Sequence, residues 1–398
     1  MEDCEVELMR PKTVQSRAEG GVSHIVVAIS EGRGVSSDVG MTSFNLSTSE
    51  CILSQFSDNA MFASVFSRLH CLNPSQIIVS SSCVETRTTK LYAFLQEMYE
   101  HDPDVSLEIV DRQYWNKGTQ ILNEYGLKAS EHLFTGLINQ KFFCLASLSA
   151  IFYFIETYHN ITFQQHSINF RVQPVNGTMM IDSITARNLE LISNLVEKKN
   201  TRCLLGYMNH CQTAMGYRLL RTTILQPLLH KETIEARLNC VDELVNNESL
   251  FYSVKESLKN VPDIDFSITA FIQARKPSVK NTELAINNII VLKSILEDCF
   301  KICESLAGAG CVLLRAVKET IGDQEVVIVQ AEINCVINED ITLQSNPLGL
   351  RNQRVYAVKS GLNPLLDVAR QTYKESTDDV HDLVTMYIGE SWINSRRT

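Results

Sequence analysis

Several features that would narrow the chain's function at once are missing. No G-x-x-x-x-G-K-[ST] occurs in its 398 residues, so no phosphate-cradling P-loop can be drawn. Gly32-Arg33-Gly34 has no third glycine at dinucleotide spacing, which leaves it as a turn. Positive charge is in deficit, with 36 Lys and Arg against 46 Asp and Glu, a net charge of −10. That excludes a chain that grips nucleic acid by bulk electrostatics; a DNA contact would need a local basic patch or a partner. The most apolar run, Phe142 to Ile155, is short of the roughly 20 residues of a membrane span and suits a buried helix, so no membrane partner is expected. Residues 1–12 are acidic and carry no apolar stretch, so a secretory signal is not expected. The 12 cysteines are scattered, and the closest pair, Cys299 and Cys303, has no histidine near it. Buried thiols in a reducing compartment are expected, not a metal site.

What is present is ordinary globular material, 44% hydrophobic, enough for about two or three domains without disulfides. Residues 1–22 read as a disordered tail ending in Gly20-Gly21. His24–Ile29 is a continuous apolar strand, followed by a turn at Glu31 to Gly34 and by short strands at Met41–Leu46 and Cys51–Phe56. Three strands with short links predict an antiparallel meander. Ser57 or Asp58 caps a helix carrying Phe62, Val65, Phe66 and Leu69 on one face. Strand Gln76–Ser80, a helix with Leu91, Phe94, Leu95 and Met98, strand Val105–Val110 and a helix from about Tyr114 to Tyr125 complete the pattern. Strands and helices in that order predict a ribonuclease-H-like α/β domain. A nuclease on such a fold needs carboxylates converging on two metal ions, one of them on the first strand. The first strand has none, and Glu31, Asp58 and Asp111 sit at element ends, where they read as turns and caps. Nuclease activity is therefore a distant alternative.

Beyond about residue 140 the apolar period becomes helical. Phe142–Tyr158 reads as the helix leaving the α/β domain; Ile168, Phe170 and Val172 alternate like a strand that Met179–Ile181 would pair with. Thr201 to Val245 predicts three short helices, with Pro227 ending the second. Their buried faces are expected at Leu204, Leu205, Met208 and Cys211, then Met215, Leu219, Leu220 and Ile224, then Ile234, Leu238, Val241 and Val245. Further stripes run through Leu250, Phe251, Val254 and Leu258, and through Ile264, Ile268, Phe271 and Ile272, with Pro277 after them. Ala285, Ile289, Leu292, Leu296, Cys299, Cys303 and Leu306 alternate by four and three, a heptad seam of about three repeats that Gly308 and Gly310 stop. Val326 to Ile337 and Leu365 to Ile388 give two more helices, after which Trp392–Thr398 does not extend the pattern.

Periodicity gives no more than a helical core, but the order of residues is specific. Met215-Gly216-Tyr217-Arg218-Leu219-Leu220-Arg221, Leu225-Gln226-Pro227-Leu228, Ile234-Glu235-Ala236-Arg237-Leu238 and Val241-Asp242-Glu243-Leu244 resemble the core (lever) domain of the MutS family of DNA mismatch repair proteins. Met180-Ile181-Asp182-Ser183 with Arg187-Asn188-Leu189-Glu190-Leu191 looks like that domain's entry, and Val261-Pro262-Asp263-Ile264-Asp265 like its next helix junction. Ile25 to Gly34, Gly40-Met41, and Ile52 to Asn59 resemble the family's connector domain in its meiosis-specific homologue-4 branch. The resemblance implies a tail at 1–22, a connector-like α/β domain at 23–140, a core/lever-like helical domain at 141–390 and a non-family tail at 391–398.

It also implies a function. The expected protein is a subunit of a heterodimeric clamp with MutS homologue 5, acting in the nucleus on meiotic chromosomes. Such a clamp encircles branched DNA such as Holliday junctions and favours crossovers. ATP and magnesium serve the family's ATPase, whose P-loop is absent here, so no cofactor and no enzymatic activity are expected of this chain. It reads as a truncated product without clamp and ATPase, with a non-catalytic docking scaffold or competitor of the longer subunit as the alternative. Mismatch-recognising members carry an extra N-terminal domain with a Phe-x-Glu wedge; Phe154-Ile155-Glu156 has those letters inside a buried-looking helix and is read as chance. Arg218, Arg221, Lys231 and Arg237 would form a basic strip for DNA or a partner. Solvated helix faces or salt bridges to Glu232 and Glu235 are the favoured reading of the same residues.

Overall fold

The computed structural model describes residues 24–32, 38–85, 89–99, 104–128, 136, 141–173, 177–196, 202–259, 261–274, 278–341 and 347–395. The tail at 1–22, Arg33-Gly34 and Pro277 lie outside them.

Strands β1 (Ile25–Glu31), β2 (Asp38–Asn45) and β3 (Glu50–Ser57) form the expected antiparallel meander. Helix α1 (Ala63–Leu72) crosses to β4 (Gln76–Ser80), which lies parallel to β1. A single turn, α2 (Ser82–Glu85), and helix α3 (Lys90–Tyr99) lead to β5 (Ser106–Val110), parallel to β4. The helix expected over Tyr114–Tyr125 is split into a 3-10 turn at Arg112–Trp115 and α4 (Gly118–Tyr125). Helix α5 (Phe142–Tyr158) follows. Then come β6 (Thr162–Phe163) and β7 (Phe170–Val172), and the main sheet runs β5-β4-β1-β2-β3-β7.

The reason β1 is apolar without alternation is that both its faces are covered. Successive side chains of a strand point to opposite faces. Val27 and Ile29 enter a core with Val65 and Leu69 of α1 and Leu91 and Leu95 of α3. Val26 and Ala28 enter the other core, with Cys144, Leu148, Ile151 and Phe152 of α5. The N-cap residue of α1 is Phe62, and Asp58 serves the first turn from further back: its carboxylate accepts the N–H groups of Ser64 at 3.2 Å and Val65 at 2.9 Å.

Two expectations change here. Helix α5 does not leave the α/β unit but packs against β1 and β2 as the second layer of its core. The sheet also takes in β7, parallel to β3, so the unit reaches Val172 and not the expected limit at 140. The hydroxyls buried along α5 are satisfied within the layer. Ser147 Oγ lies 2.7 Å from Thr42 Oγ1, and Ser149 Oγ donates to the Tyr114 carbonyl at 2.5 Å. Phe154 is buried in this helix and Glu156 accepts from the Tyr125 hydroxyl at 3.1 Å, so Phe154-Ile155-Glu156 is part of the packing. No described helix is long and apolar enough to cross a membrane.

The expected pairing of Met179–Ile181 with the 168–172 strand is not seen. Thr178 instead bridges to Leu228, and the Met179 amide donates to the Pro227 carbonyl at 2.7 Å. Helix α6 (Ser183–Asn188) is capped by Asp182. The three short helices exist as α7 (Leu204–Met208), α8 (Ala214–Leu225) and α9 (Lys231–Asn246). Next come α10 (Glu248–Ser257), α11 (Ile264–Ile272), β8 (Gln273–Ala274), which pairs with β6, and the long α12 (Val279–Ser305). Helices α13 (Val312–Ile321), α14 (Gln324–Val336), α15 (Pro347–Tyr356) and α16 (Pro364–Ser395) complete the chain. Helices α13 and α15 are not among the elements expected from the sequence.

The described residues divide into two compact units. One takes in everything up to Asn281 together with Glu297–Gly322; the other takes in Thr282–Leu296 and the residues from Asp323 onward. The helical stretch expected as one domain at 141–390 is thus shared between them. Within the second unit, Lys293 of α12 is buried and its ammonium donates to the carbonyls of Asn338, at 3.3 Å, and Glu339. Arg354 of α15 donates to Glu283 of α12 at 2.6 Å. The helix expected over Leu365 to Ile388 is α16, which continues through Gly389 to Ser395. An interior glycine costs a helix only about 1 kcal/mol, and loss of an apolar stripe does not end the backbone hydrogen-bond ladder.

Candidate functional site

The four candidate cations sit on α8 and α9, and the fold treats them differently. Thr213 caps α8, its side chain accepting the Gly216 N–H at 3.1 Å. In the first turn, Met215 packs against the cluster of Val261, Ile302 and Leu306. Arg218, three residues on, reaches the start of α11. Its Nη1 donates to Asp263 Oδ2 at 2.6 Å and its Nη2 to Asp263 Oδ1 at 2.9 Å and Asp265 Oδ2 at 2.5 Å. Asp263 also caps α11, accepting the Phe266 N–H. The hydrogen bonds to Asp263 hold the Arg218 guanidinium charged more firmly than usual, against the opposing cost of its burial.

Arg221 is turned the other way, into the α/β unit. Its Nη1 donates to the Cys71 carbonyl at the end of α1, at 2.7 Å. Desolvation lowers its pKa, which marks a cation held among packed groups and not in solvent. Lys231 and Arg237 lie on exposed turns of α9. Lys231 makes a 3.6 Å pair with Glu235, of a kind that contributes little. The structure therefore does not gather the four cations into a strip. Lys231 and Arg237 are solvated, whereas Arg218 is held by Asp263 and Asp265 and Arg221 by the Cys71 carbonyl, none of them the Glu232 or Glu235 of the favoured reading. Asp263 and Asp265 lie 45 and 47 residues from Arg218, beyond the reach of any helical period. The one signal for them was the paired carboxylates of Val261-Pro262-Asp263-Ile264-Asp265.

The helix faces expected to be buried also need correction. Leu219 is 60% exposed and Leu238 59%, and Ile234, Val241 and Val245 are exposed with them. Glu243 on α9 meets the loop before α13, accepting the N–H of Gly310 at 2.5 Å and of Cys311 at 2.7 Å.

Next to Arg221 stands His70, whose Nε2 is buried and has no hydrogen-bond partner among the described residues. Burial lowers its pKa, the Arg221 charge lowers it further, and Asp182 opposes both. A histidine whose folded pKa is depressed is neutral in the fold and takes up its proton on unfolding. Its contribution is complete above the unfolded value of about 6.5 and is lost as pH falls below it. The urea midpoint should therefore drop between about pH 7.5 and about pH 5.5. His70→Gln should reduce that drop, leaving the part due to His159, whose pKa burial also lowers. An unchanged pH profile in the variant would show that His70 is not buried as described.

Among the described residues no three His, Cys, Asp or Glu side chains come together as metal ligands.

Comparison with known families matches residues 24–165 to MutS domain II and residues 184–386 to MutS domain III. Human MutS protein homolog 4 is 33% identical over 379 residues, 94% of this chain and 40% of that protein. MutS protein homolog 4 of Saccharomyces cerevisiae is 30% identical over 363 residues, 87% of this chain and 40% of that protein. DNA mismatch repair protein MutS of Methanosarcina barkeri is 29% identical over 229 residues, 57% of this chain. The chain thus spans about two fifths of the length of the homolog-4 relatives it matches. A mixed α/β layer followed by a mostly helical core, matched in order by domains II and III, places this chain in the MutS family.

Proposed function

We propose that this chain is the connector-and-core portion of a meiotic MutS-type subunit. In this reading it pairs with MutS homologue 5 in a clamp on branched recombination intermediates, in the nucleus on meiotic chromosomes, and favours crossovers. The observation that carries the reading is the likeness to the homolog-4 proteins along nearly the whole chain. The charge of −10 and the internal engagement of Arg218 and Arg221 support a division of labour in which other parts of the assembly hold the DNA.

The second reading, a non-catalytic docking scaffold or competitor of a longer subunit, is favoured by the uncovered apolar residues of α9. Both readings expect the purified chain to co-purify with co-expressed MutS homologue 5. Alone it should release no phosphate from Mg-ATP and hold a four-way junction weakly at near-physiological salt. Failure to co-purify would overturn both readings. Sub-micromolar, junction-selective binding by the chain alone would overturn the division of labour.

A further inference from the structure

The 12 cysteines show no local pattern in the sequence, and the pair expected to be closest, Cys299 and Cys303, is close only along one helix. The fold brings together a different pair. Cys240 on α9 and Cys311 at the start of α13, 71 residues apart, have their sulfurs 3.2 Å from each other and unbonded. Cys240 is buried and Cys311 is partly open to solvent. One turn along the same face of α9, the Glu243 carboxylate grips the Gly310 and Cys311 amides. The backbone around the pair is thereby held in place from two sides.

We propose that Cys240 and Cys311 form a reversible dithiol–disulfide site, oxidised by hydrogen peroxide, that locks α9 to the first turn of α13. A disulfide needs sulfurs about 2.05 Å apart, so the pair must close by roughly 1.2 Å, within the reach of side-chain rotation. The two thiols differ in the way such chemistry requires. Cys311 is held below the ordinary thiol value, first by a hydrogen bond with Cys240 and then by the Leu313 backbone amide. Burial, followed by the interaction with Cys311, raises Cys240 to about 11. The thiolate is the form that attacks peroxide.

The Cys311 thiolate therefore attacks one peroxide oxygen, forming an S–O bond as the O–O bond breaks and hydroxide leaves. The product is a sulfenic acid at Cys311. Cys240 then attacks that sulfur, the S–S bond forms, the S–O bond breaks, and water leaves. In sum, two thiols and one hydrogen peroxide give one disulfide and two waters. A dithiol reductant reverses it by exchange. In a reducing compartment such a bond would be transient, as redox-sensing disulfides are. This chemistry does not depend on the clamp reading.

The test is a peptide map of the purified chain after a mild peroxide pulse, without reduction. A linked peptide joining Cys240 to Cys311 is expected, with loss of the mass of two hydrogen atoms and recovery on adding dithiothreitol. Oxidation should also shift the melting temperature upward, reversibly. In Cys240→Ser, dimedone should trap a sulfenic acid at Cys311; in Cys311→Ser, both the trapping and the link should be lost. Cys335→Ser, at an exposed thiol that is not one of the pair, should leave the link unchanged. Oxidation of Cys335 without any Cys240–Cys311 link in the unsubstituted chain would overturn the proposal, and this map stands even if a serine variant fails to fold. Dimedone trapped at Cys240 and not Cys311 would overturn the order of attack.

Discussion

Gly40→Ala is expected to destabilise the α/β unit by more than about 3 kcal/mol, above the usual cost of overpacking. Gly40 lies in the middle of the sheet, paired with Ser30 on β1 and Gln55 on β3. A Cβ there would sit 2.1 Å from the Phe143 carbonyl carbon, 2.2 Å from its oxygen and 2.4 Å from the Cys144 nitrogen. Every one of those atoms is backbone, so no rotamer change relieves the clash. Either β2 leaves the sheet plane or the first turn of α5 lifts off it. Lifting α5 would uncover Leu148, Ile151 and Phe152, which are buried in the core below. Gly118, at the start of α4, meets the same turn, where a Cβ would be 2.0 Å from the Leu145 carbonyl oxygen. Gly118→Ala should therefore behave like Gly40→Ala. Gly308 is the control, because nothing lies within 4 Å of the added Cβ. Its alanine variant should stay within about 0.5 kcal/mol of the parent. Urea unfolding of the three variants decides the matter: equal midpoints for Gly40→Ala and Gly308→Ala would mean that α5 does not approach the sheet this closely.

These glycines show what a sequence holds and what it hides. The strands were legible because residue types carry the alternation or its absence: Val26 to Ile29 is apolar throughout, and both faces of β1 are covered. That α5 would be buried was legible for the same reason. Which domain buries it was not, since an apolar run states that a helix is covered and never by what. The close approach at Gly40 depends on residues more than 100 positions apart, which no local pattern records.

The long helix shows the same limit. A heptad seam correctly marked α12 as one element of 27 residues, but placed its buried face through Ala285, Ile289, Leu292 and Leu296. The buried positions in that half are Ile290, Lys293, Ile295 and Leu296. Counting apolar residues could not select a lysine, whose ammonium is accommodated by two backbone carbonyls. Val380, Val384, Tyr387 and Ile388 on α16 likewise form a regular apolar stripe and are exposed. A regular period fixes the face of a helix and not whether anything covers it. Of the candidate site, the engagement of Arg218 was legible only as a general preference for salt bridges; its carboxylates, and the Cys71 carbonyl that holds Arg221, came from the fold.

Arg218→Ala is expected to cost about 1.5–3 kcal/mol, more than Leu219→Asp, although the sequence pattern ranks them the other way. The pattern puts Leu219 on a buried stripe and Arg218 on the surface. In the fold Leu219 is 60% exposed, whereas the Arg218 side chain is 38% exposed and its partner Asp263 only 14%. Removing the guanidinium leaves Asp263 with its carboxylate nearly enclosed and two charge-assisted hydrogen bonds lost. A fully buried pair broken in this way costs about 3–5 kcal/mol. Solvent screening of a guanidinium more than one third exposed brings the expected figure below that range. An aspartate at Leu219 keeps its charge in water, so its cost is limited to lost partial packing and a helix propensity difference of about 0.5 kcal/mol. Arg218→Lys separates charge from geometry, because lysine keeps the charge but cannot make the paired contacts with Asp263. It should fall between the parent and Arg218→Ala. Urea unfolding of the three variants at neutral pH provides the comparison. An earlier midpoint for Leu219→Asp than for Arg218→Ala would show that the α8 face is buried as the periodicity alone suggests, and that the Arg218–Asp263 contact does not hold α8 to α11.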